Sequence, residues 1–332
     1  ARGANPGEVV LQNGLVRRVF KLSPNAATVG LDNTMTGVSL LRAVEPEATI
    51  QIDGRPYSVG GLNGQPDRAY LLPEWIAGLT NSPSAFQFAD FKVAKPAAPF
   101  AWKRARRSAN LPWPPPGATL SLTFRGSGDS TRDITVTVHH ELSDGLPVLG
   151  KWITVSNGTH RTITLDRLAG ERIAAVEAEA AVDERPDIAW RTPAISVLSD
   201  YMFKGMDIVT GNQVASWRED PAFRTQVSYP LKTPCLLVCE PPIGPGVQIA
   251  PGGTFTSFRT WLVVHDSTER ERQGLFVRHA HRALAPWSTE NPIMMHVRSA
   301  NSPTFRNAVD QCAECPARER RALETHSLRR NP

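Results

Sequence analysis

The clearest pattern in this chain is an alternation of apolar and polar residues near its middle. Within residues 133–171, Ile134, Val136 and Val138 alternate with two threonines and a histidine. A period of two places the apolar side chains on one face of a strand and the polar ones on the other. The segment therefore predicts a half-buried β-strand.

Two turn signals divide the sequence that follows this strand. Residues 143–145 read Ser-Asp-Gly, and residues 157–158 read Asn-Gly, the dipeptide that best tolerates the positive φ angles of a hairpin turn. Between and after these turns, the alternation resumes through Ile153, Val155 and Leu165. The pattern predicts three consecutive antiparallel strands, and hence a large antiparallel sheet with one packed face.

Further strand patterns flank this meander, separated by Gly, Asn or Pro turns at the spacing of roughly ten residues that is typical of β-sandwiches. They end with one strand predicted over residues 254–264. Residues 172–182 have the composition of a helix, but the alternation within them favours a strand. The 28 Pro and 24 Gly residues also favour a turn-rich β protein. The predicted fold is mostly β, a large antiparallel β-sandwich.

The pattern changes after residue 265. Apolar residues at helical spacing predict a helix over residues 268–284, followed by a strand at 293–297 and an amphipathic helix at 303–312. That strand and helix make one βα unit, whereas a closed barrel takes eight. After residue 315 the composition becomes basic and irregular, and no apolar strand follows.

Two strings of residues resemble a known family. HELSDGLPVLGKWITVSNGT (140–159) resembles the sandwich domain that precedes the barrel in alpha-galactosidase-like glycoside hydrolases of the family 36 type. PWSTENPIMMHVRSANSPTFRNAVDQCAE (286–314) resembles the linker, first strand and first helix of that family's catalytic barrel. The resemblance implies a galactose-mutarotase-like supersandwich, a connector helix and an incomplete barrel. The predicted division is a disordered N-terminus (1–7), the supersandwich (8–265), a helical connector (266–290), the first βα unit of a truncated barrel (291–315) and a basic irregular tail (316–332).

The resemblance also implies a function. The family's retaining mechanism uses two Asp carboxylates on later barrel strands, and no Asp of this chain matches either of them. We therefore predict no catalytic residues, and a non-catalytic sandwich portion that helps to shape a galactoside-type carbohydrate site. The chain is expected to be truncated, or altered in reading frame, shortly after Glu314.

Candidate substrate-binding residues lie at two places. Glu219 and Asp220 follow Trp217, and carboxylates can bridge sugar hydroxyls while an indole stacks on the ring. An acidic turn after a strand is the plainer interpretation. His296 and Arg298 lie at the end of the predicted barrel strand, where the active-site groups of barrels are found.

Long loops between residues 60 and 116 hold Trp75, Trp102 and Trp113. Loops on a rigid sandwich are where a ligand site would be built. These side chains could equally cover apolar sheet edges.

Charge and composition argue against several classes of function. The net charge is +5 with a pI of about 9.2, but the basic residues are spread along the chain without a nucleic-acid-binding motif. No apolar run approaches the roughly 20 residues of a membrane span. The chain starts at Ala1 without Met, which favours a removed signal peptide and a secreted or periplasmic protein. No cofactor and no partner other than carbohydrate are predicted, and the oligomeric state is left open.

The four cysteines form two close pairs in sequence, Cys235 with Cys239 and Cys312 with Cys315. Zinc would need four thiolates converging from two distant regions. Buried thiols are favoured over a disulfide, and no metal site is predicted.

Two other functions remain open at this stage. One is a stand-alone carbohydrate-binding protein. The other is a sugar epimerase or lyase that acts within the sandwich through His139, His140 and Glu141. Because neighbouring residues of a strand point to opposite faces, at most one of these histidines shares a face with Glu141.

Overall fold

The computed structural model describes residues 7–178, 192–201, 212–222 and 234–290. Most of them lie in antiparallel strands, as the alternation predicts. In chain order, the elements are β1 (Glu8–Gln12), β2 (Val16–Lys21), β3 (Ala27–Asn33), β4 (Val38–Ser39), β5 (Leu41–Ala43), β6 (Ala48–Ile52), β7 (Arg55–Val59), α1 (Pro73–Ile76), β8 (Gln87–Ala94), β9 (Gly117–Arg125), β10 (Ile134–Ser143), β11 (Val148–Asn157), β12 (Ile163–Ala169), β13 (Glu171–Ala175), β14 (Ile195–Ser199), β15 (Ala215–Arg218), β16 (Leu236–Cys239), β17 (Pro245–Ile249), β18 (Thr254–Thr256), β19 (Thr260–Val264) and α2 (Arg270–Leu284).

One layer is a large antiparallel sheet in the order β14-β19-β11-β10-β9-β8, with β18 also paired to β11. Its central pairs are long and regular, from Ile134 opposite Asn157 to Leu142 opposite Leu149. Val136 and Val138 are fully buried, as the alternation predicts. We call the other face of this sheet the outer face.

In the described part of the chain, three smaller sheets share a hydrophobic core with the large one. Their strand orders are β1-β2-β3-β4, β17-β12-β6-β7 and β15-β16-β13-β5. Phe20, Ile50 and Leu237 from these sheets join Leu122 and Ile153 of the large sheet in one buried cluster. The predicted β-sandwich is confirmed.

The predicted three-stranded meander is wrong in its third strand. β12 pairs with β17 and β6 in a smaller sheet, not with β11. Asn157 donates from its side-chain amide to the carbonyls of Arg161 and Ile249, both at 2.8 Å. Gly158 approaches the Asp133 carbonyl so closely that a Cβ would lie 2.6 Å from it. The Asn-Gly pair therefore carries the chain from one layer to the other and does not close a hairpin.

The predicted strand over 254–264 is two strands. β18 and β19 are separated at residues 257–259, where Ser257 Oγ accepts a hydrogen bond from the backbone N–H of Ile153 at 2.9 Å. The Ser257 side chain takes the place of a backbone acceptor at this point and interrupts the ladder with β11. The strand favoured for residues 172–182 corresponds to β13 at its start.

The helix predicted over residues 268–284 is confirmed as α2. Its Phe276 and Ala280 pack with Val148 and Val263 of the large sheet. Of the described residues, those within 7–102 and 109–286 belong to one compact unit, while residues 103–108 and 287–290 belong to a second, small one. The predicted barrel unit and basic tail (291–332) lie outside the described residues.

Candidate functional site

Five ionisable side chains meet in the interior of the sandwich. Arg18 comes from β2, Glu47 from the turn before β6, His140 from β10, Lys151 from β11 and Glu171 from β13. Each of these side chains is at most 2% exposed. We call this group the buried charge cluster.

Two cations bridge the two carboxylates of the cluster. The guanidinium of Arg18 donates twice to Glu171, at 2.8 and 3.2 Å. Lys151 Nζ lies 2.7 Å from Glu171 Oε1 and 3.4 Å from Glu47 Oε2, and it also donates to the Glu47 carbonyl at 2.5 Å. Such charge-assisted bonds are shorter and stronger than neutral ones.

The remaining contacts fix Glu47. Its Oε1 accepts from the backbone N–H of Thr28 at 2.5 Å and from the Thr28 hydroxyl at 2.7 Å. Its Oε2 lies 2.9 Å from His140 Nε2. The His140 ring also packs against Phe20, with ring centroids 4.6 Å apart.

The electrostatics of the cluster indicate a neutral histidine between balanced charges. Burial would raise the pKa of Glu47, but Lys151, His140 and Arg18 hold it well below its usual range. Burial would likewise raise the pKa of Glu171, and Arg18 and Lys151 lower it. Burial, with the charge of Arg18, lowers the pKa of His140 to about 4 despite the neighbouring Glu47. At neutral pH the cluster therefore holds two cations, two anions and an uncharged imidazole.

The side chains of the buried charge cluster are not accessible to a substrate. The cavity beside Arg18, Thr28 and Glu47 measures about 10 Å³, roughly the room of one water molecule. Another cavity, between Leu11 and Leu142, measures about 80 Å³, well below the few hundred Å³ of a typical ligand pocket. The geometry supports a structural role, in which the cluster joins strands of different sheets.

Sequence reasoning missed four members of this cluster: Arg18, Glu47, Lys151 and Glu171. One signal was present, because Lys151 stands between Leu149 and Ile153 in the inward phase of β11. A lysine at that position needs a buried counter-charge.

On the outer face, three side chains form a stack across the large sheet. The ring of His139 lies parallel to that of Trp152, with centroids 4.8 Å apart and an interplanar angle of 13°. The guanidinium carbon of Arg259 lies 4.0 Å from the Trp152 ring centroid. His139 and Arg259 come from opposite sides of β11, so both faces of the indole are covered.

Both nitrogens of His139 are occupied by hydroxyls. Nδ1 lies 2.8 Å from Ser121 Oγ, and Nε2 lies 3.1 Å from Thr154 Oγ1. Burial, with the charge of Arg259, lowers the pKa of His139 to about 4. The imidazole is thus neutral at neutral pH, and both of its nitrogens are engaged.

Glu141 lies on the same outer face. It accepts from the Thr119 hydroxyl at 3.0 Å, and burial raises its pKa. Next to it, Trp261 lies so close to Gly150 that a Cβ there would be 3.0 Å from the indole. The prediction that at most one histidine shares a face with Glu141 is confirmed, since His139 does and His140 faces inward.

The long loops hold an aromatic patch, which we define as Phe100, Trp102 and Trp113. The Trp113 ring lies 5.1 Å from Phe100 and 5.9 Å from Trp102. Trp113 Nε1 donates to the carbonyl of Leu284 in the last turn of α2, at 3.1 Å. Phe100 is 50% exposed. The loop is thereby attached to the end of α2, while the Phe100 ring faces solvent.

The third loop tryptophan lies elsewhere. Trp75, in α1, stacks on Tyr70 with centroids 5.6 Å apart.

The predicted substrate-binding residues fall into three groups. Trp217, on β15, is partly buried against the core, and Glu219 is exposed beside it. Asp220 is buried and forms an ion pair with Arg42, so its carboxylate faces the interior, and its role as a sugar ligand stays a prediction. His296 and Arg298 lie outside the described residues.

Metal and thiol chemistry are limited in the described part of the chain. Residues 7–178, 192–201, 212–222 and 234–290 contain no group of three metal-ligating side chains. Cys235 and Cys239 are free and buried, and burial raises the pKa of both thiols. Cys312 and Cys315 lie outside these ranges.

Among the described residues, none of the helices has the length and hydropathy that a membrane span requires.

No protein-family model and no curated protein matches the chain. Solved structures of glycoside hydrolases are similar to it. A variant of the family 36 alpha-galactosidase AgaA from Geobacillus stearothermophilus, in complex with 1-deoxygalactonojirimycin, is 11% identical, with 83% of this chain and 43% of that chain covered and a TM-score of 0.41. The galactosidase domain of the alpha-galactosidase-sucrose kinase AgaSK is 8% identical, with 79% and 41% covered and a TM-score of 0.40.

A family 97 glycoside hydrolase from Pseudoalteromonas sp. strain K8, in complex with acarbose, is 11% identical, with 78% of this chain and 36% of that chain covered and a TM-score of 0.40. The chain thus spans less than half the length of each of these enzymes. The similar structures include the family that the sequence resembles.

Proposed function

We propose that this chain is the non-catalytic N-terminal sandwich portion of an alpha-galactosidase-like glycoside hydrolase, and that it helps to shape a carbohydrate site. The observation that carries the proposal is the aromatic patch on the end of α2. Its Phe100 ring is exposed, and an exposed aromatic ring held by a rigid scaffold is suited to pack against the apolar face of a sugar.

The position of the patch supports this role. Trp113 is held by the Leu284 carbonyl, and α2 is the element through which the chain leaves the sandwich. A catalytic domain that continued from α2 would start close to Phe100. The loop would then supply an aromatic wall, and the following domain would supply the carboxylates.

The ionisable side chains within the sandwich support the non-catalytic part of the proposal. The carboxylates of the buried charge cluster are paired and at most 1% exposed. His139 is stacked on Trp152 and flanked by two hydroxyls. Neither arrangement presents a free base to a sugar, which disfavours the epimerase or lyase alternative.

The test is calorimetric titration of the chain with raffinose, a galactoside, and with cellobiose as a sugar without galactose. We expect weak, saturable binding of raffinose. Phe100→Ala should weaken it about fivefold, since one aromatic contact is worth roughly 1 kcal/mol.

Leu111→Ala is the matched control, because Leu111 lies in the same loop and is also 50% exposed. It should leave the affinity unchanged. Absence of raffinose binding at tens of millimolar, or equal losses for the two variants, would overturn the proposal.

A further inference from the structure

The outermost strand of the large sheet leaves one edge without a partner. β8 is the last strand in the order and pairs with β9 on its inner side. Within the described ranges, no strand pairs with its other edge. Residues 89–94 are exposed, and no element of the described part of the chain covers that edge. A free strand edge carries unpaired N–H and C=O groups and is a template for another strand.

The two faces of β8 differ in chemistry. Phe91 and Val93 lie opposite Leu122 and Leu120, on the core side of the sheet. They are nevertheless 41% and 53% exposed, whereas those leucines are fully buried. The edge strand thus extends an apolar strip beyond the covered core.

Its other face carries opposite charges two residues apart. Asp90 lies opposite Thr123, and Lys92 lies opposite Ser121, so both point to the outer face. Phe91 stands between them in sequence. This sequence is self-complementary about Phe91 when a second copy runs antiparallel to it.

We propose that β8 pairs antiparallel with β8 of a second copy of this chain, around a two-fold axis at Phe91. In this register Asp90 faces Lys92 of the other copy, twice, and the two Phe91 rings meet on the core side. Cross-strand pairs of opposite charge and aromatic pairs stabilise antiparallel sheets. The contact is isologous, so it closes at a dimer and joins the two large sheets.

Charge selects this register over its neighbours. In an antiparallel pair, directly opposed residues point to the same face of the sheet. A register shift that keeps the faces aligned therefore slides one strand by two residues and moves the two-fold axis to the neighbouring residue. A centre at Asp90 opposes two aspartates, and a centre at Lys92 opposes two lysines. Like charges directly opposite destabilise a sheet. Only the centre at Phe91 pairs both charges favourably.

The dimer is weak and depends on concentration. The strand has a bulge between Phe88 and Asp90, which limits the regular ladder to a few residues. An interface of this length falls below the area of standard stable complexes.

The test is sedimentation equilibrium of the full chain and of charge-reversed variants. We expect a monomer–dimer equilibrium for the unaltered chain. Asp90→Lys alone and Lys92→Asp alone should each weaken the dimer about tenfold or more, because both symmetric pairs become repulsive. The double variant, Asp90→Lys with Lys92→Asp, should dimerise like the unaltered chain. An equimolar mixture of the two single variants should form a heterodimer.

Asp144→Lys is the control, as it reverses an exposed charge far from β8 in sequence. It should not change the dimer. Circular dichroism of each variant verifies that the fold is retained. A monomer at all accessible concentrations would overturn the proposal. So would a dimer that neither single reversal weakens, or a double variant and mixture that fail to restore association.

Discussion

The buried charge cluster gives the most demanding test of the fold, through the substitution Lys151→Met. Methionine has a similar length and fills the same space without charge. It leaves Glu47 and Glu171 with Arg18 as their remaining cation, so the cluster gains a net negative charge in the interior. The substitution also removes three contacts of Lys151 Nζ, at 2.5, 2.7 and 3.4 Å.

Removing one partner of a buried ion pair costs roughly 3–5 kcal/mol, a large part of the stability of an ordinary domain. We expect a loss of that size in the free energy of unfolding, measured by urea titration at pH 7. Lys95→Met is the matched control, because Lys95 is exposed and the same change there should cost under about 0.5 kcal/mol.

A second substitution separates charge from packing. In Lys151→Met with Glu171→Gln, one cation and one anion are lost together, so the cluster is neutral again. We expect the double variant to be less destabilised than the sum of the two single variants by at least about 1 kcal/mol. Additive losses, or a Lys151→Met variant as stable as the control, would refute the reasoning.

Three further outcomes follow from single residues. His140→Gln should reduce the loss of stability on acidification. The pKa of His140 is about 4 in the fold and near 6.5 in the unfolded chain, so between these pH values only the unfolded chain takes up the proton, and the free energy of unfolding decreases as the pH is lowered. Urea titrations at pH 7, 6 and 5 check this, and an unchanged slope would contradict it. Asn157→Ala should cost roughly 1–3 kcal/mol in the same assay, because the carbonyls of Arg161 and Ile249 lose their donor; a loss under about 0.5 kcal/mol would argue against the layer switch at this residue. The carboxyl of Glu290 accepts from the Ser108 hydroxyl and from three consecutive backbone N–H groups, which lower its pKa to about 2. Carbon-detected NMR titration should show that pKa, and Ser108→Ala should raise it toward the ordinary value; a normal pKa in the unaltered chain would exclude these contacts.

Local patterns were sufficient for the sandwich but not for the connections between its layers. The alternation through Ile134, Val136 and Val138 predicts β10 because burial of one face is a property of the strand itself. The Asn-Gly pair at residue 157 is compatible with a hairpin and with a layer switch. The choice depends on the Ile249 carbonyl, which lies 92 residues away in sequence and is invisible to a local pattern.

The same limit explains the functional residues. The buried charge cluster draws on β2, β10, β11 and β13, and no spacing in the sequence relates Arg18 to Glu171, 153 residues apart. The ion pair between Asp220 and Arg42 is invisible to a local pattern for a similar reason, since the two residues lie in different parts of the chain. By contrast, the prediction that at most one histidine shares a face with Glu141 follows from strand geometry alone, and it is confirmed.

The central claim is that the sandwich contacts a galactoside without transforming it. It is tested most directly by incubating the chain with raffinose at a concentration that saturates binding, and following free galactose by chromatography. We expect bound sugar in the calorimeter and no galactose above the blank. Release of galactose at a rate proportional to the concentration of the chain would contradict the account.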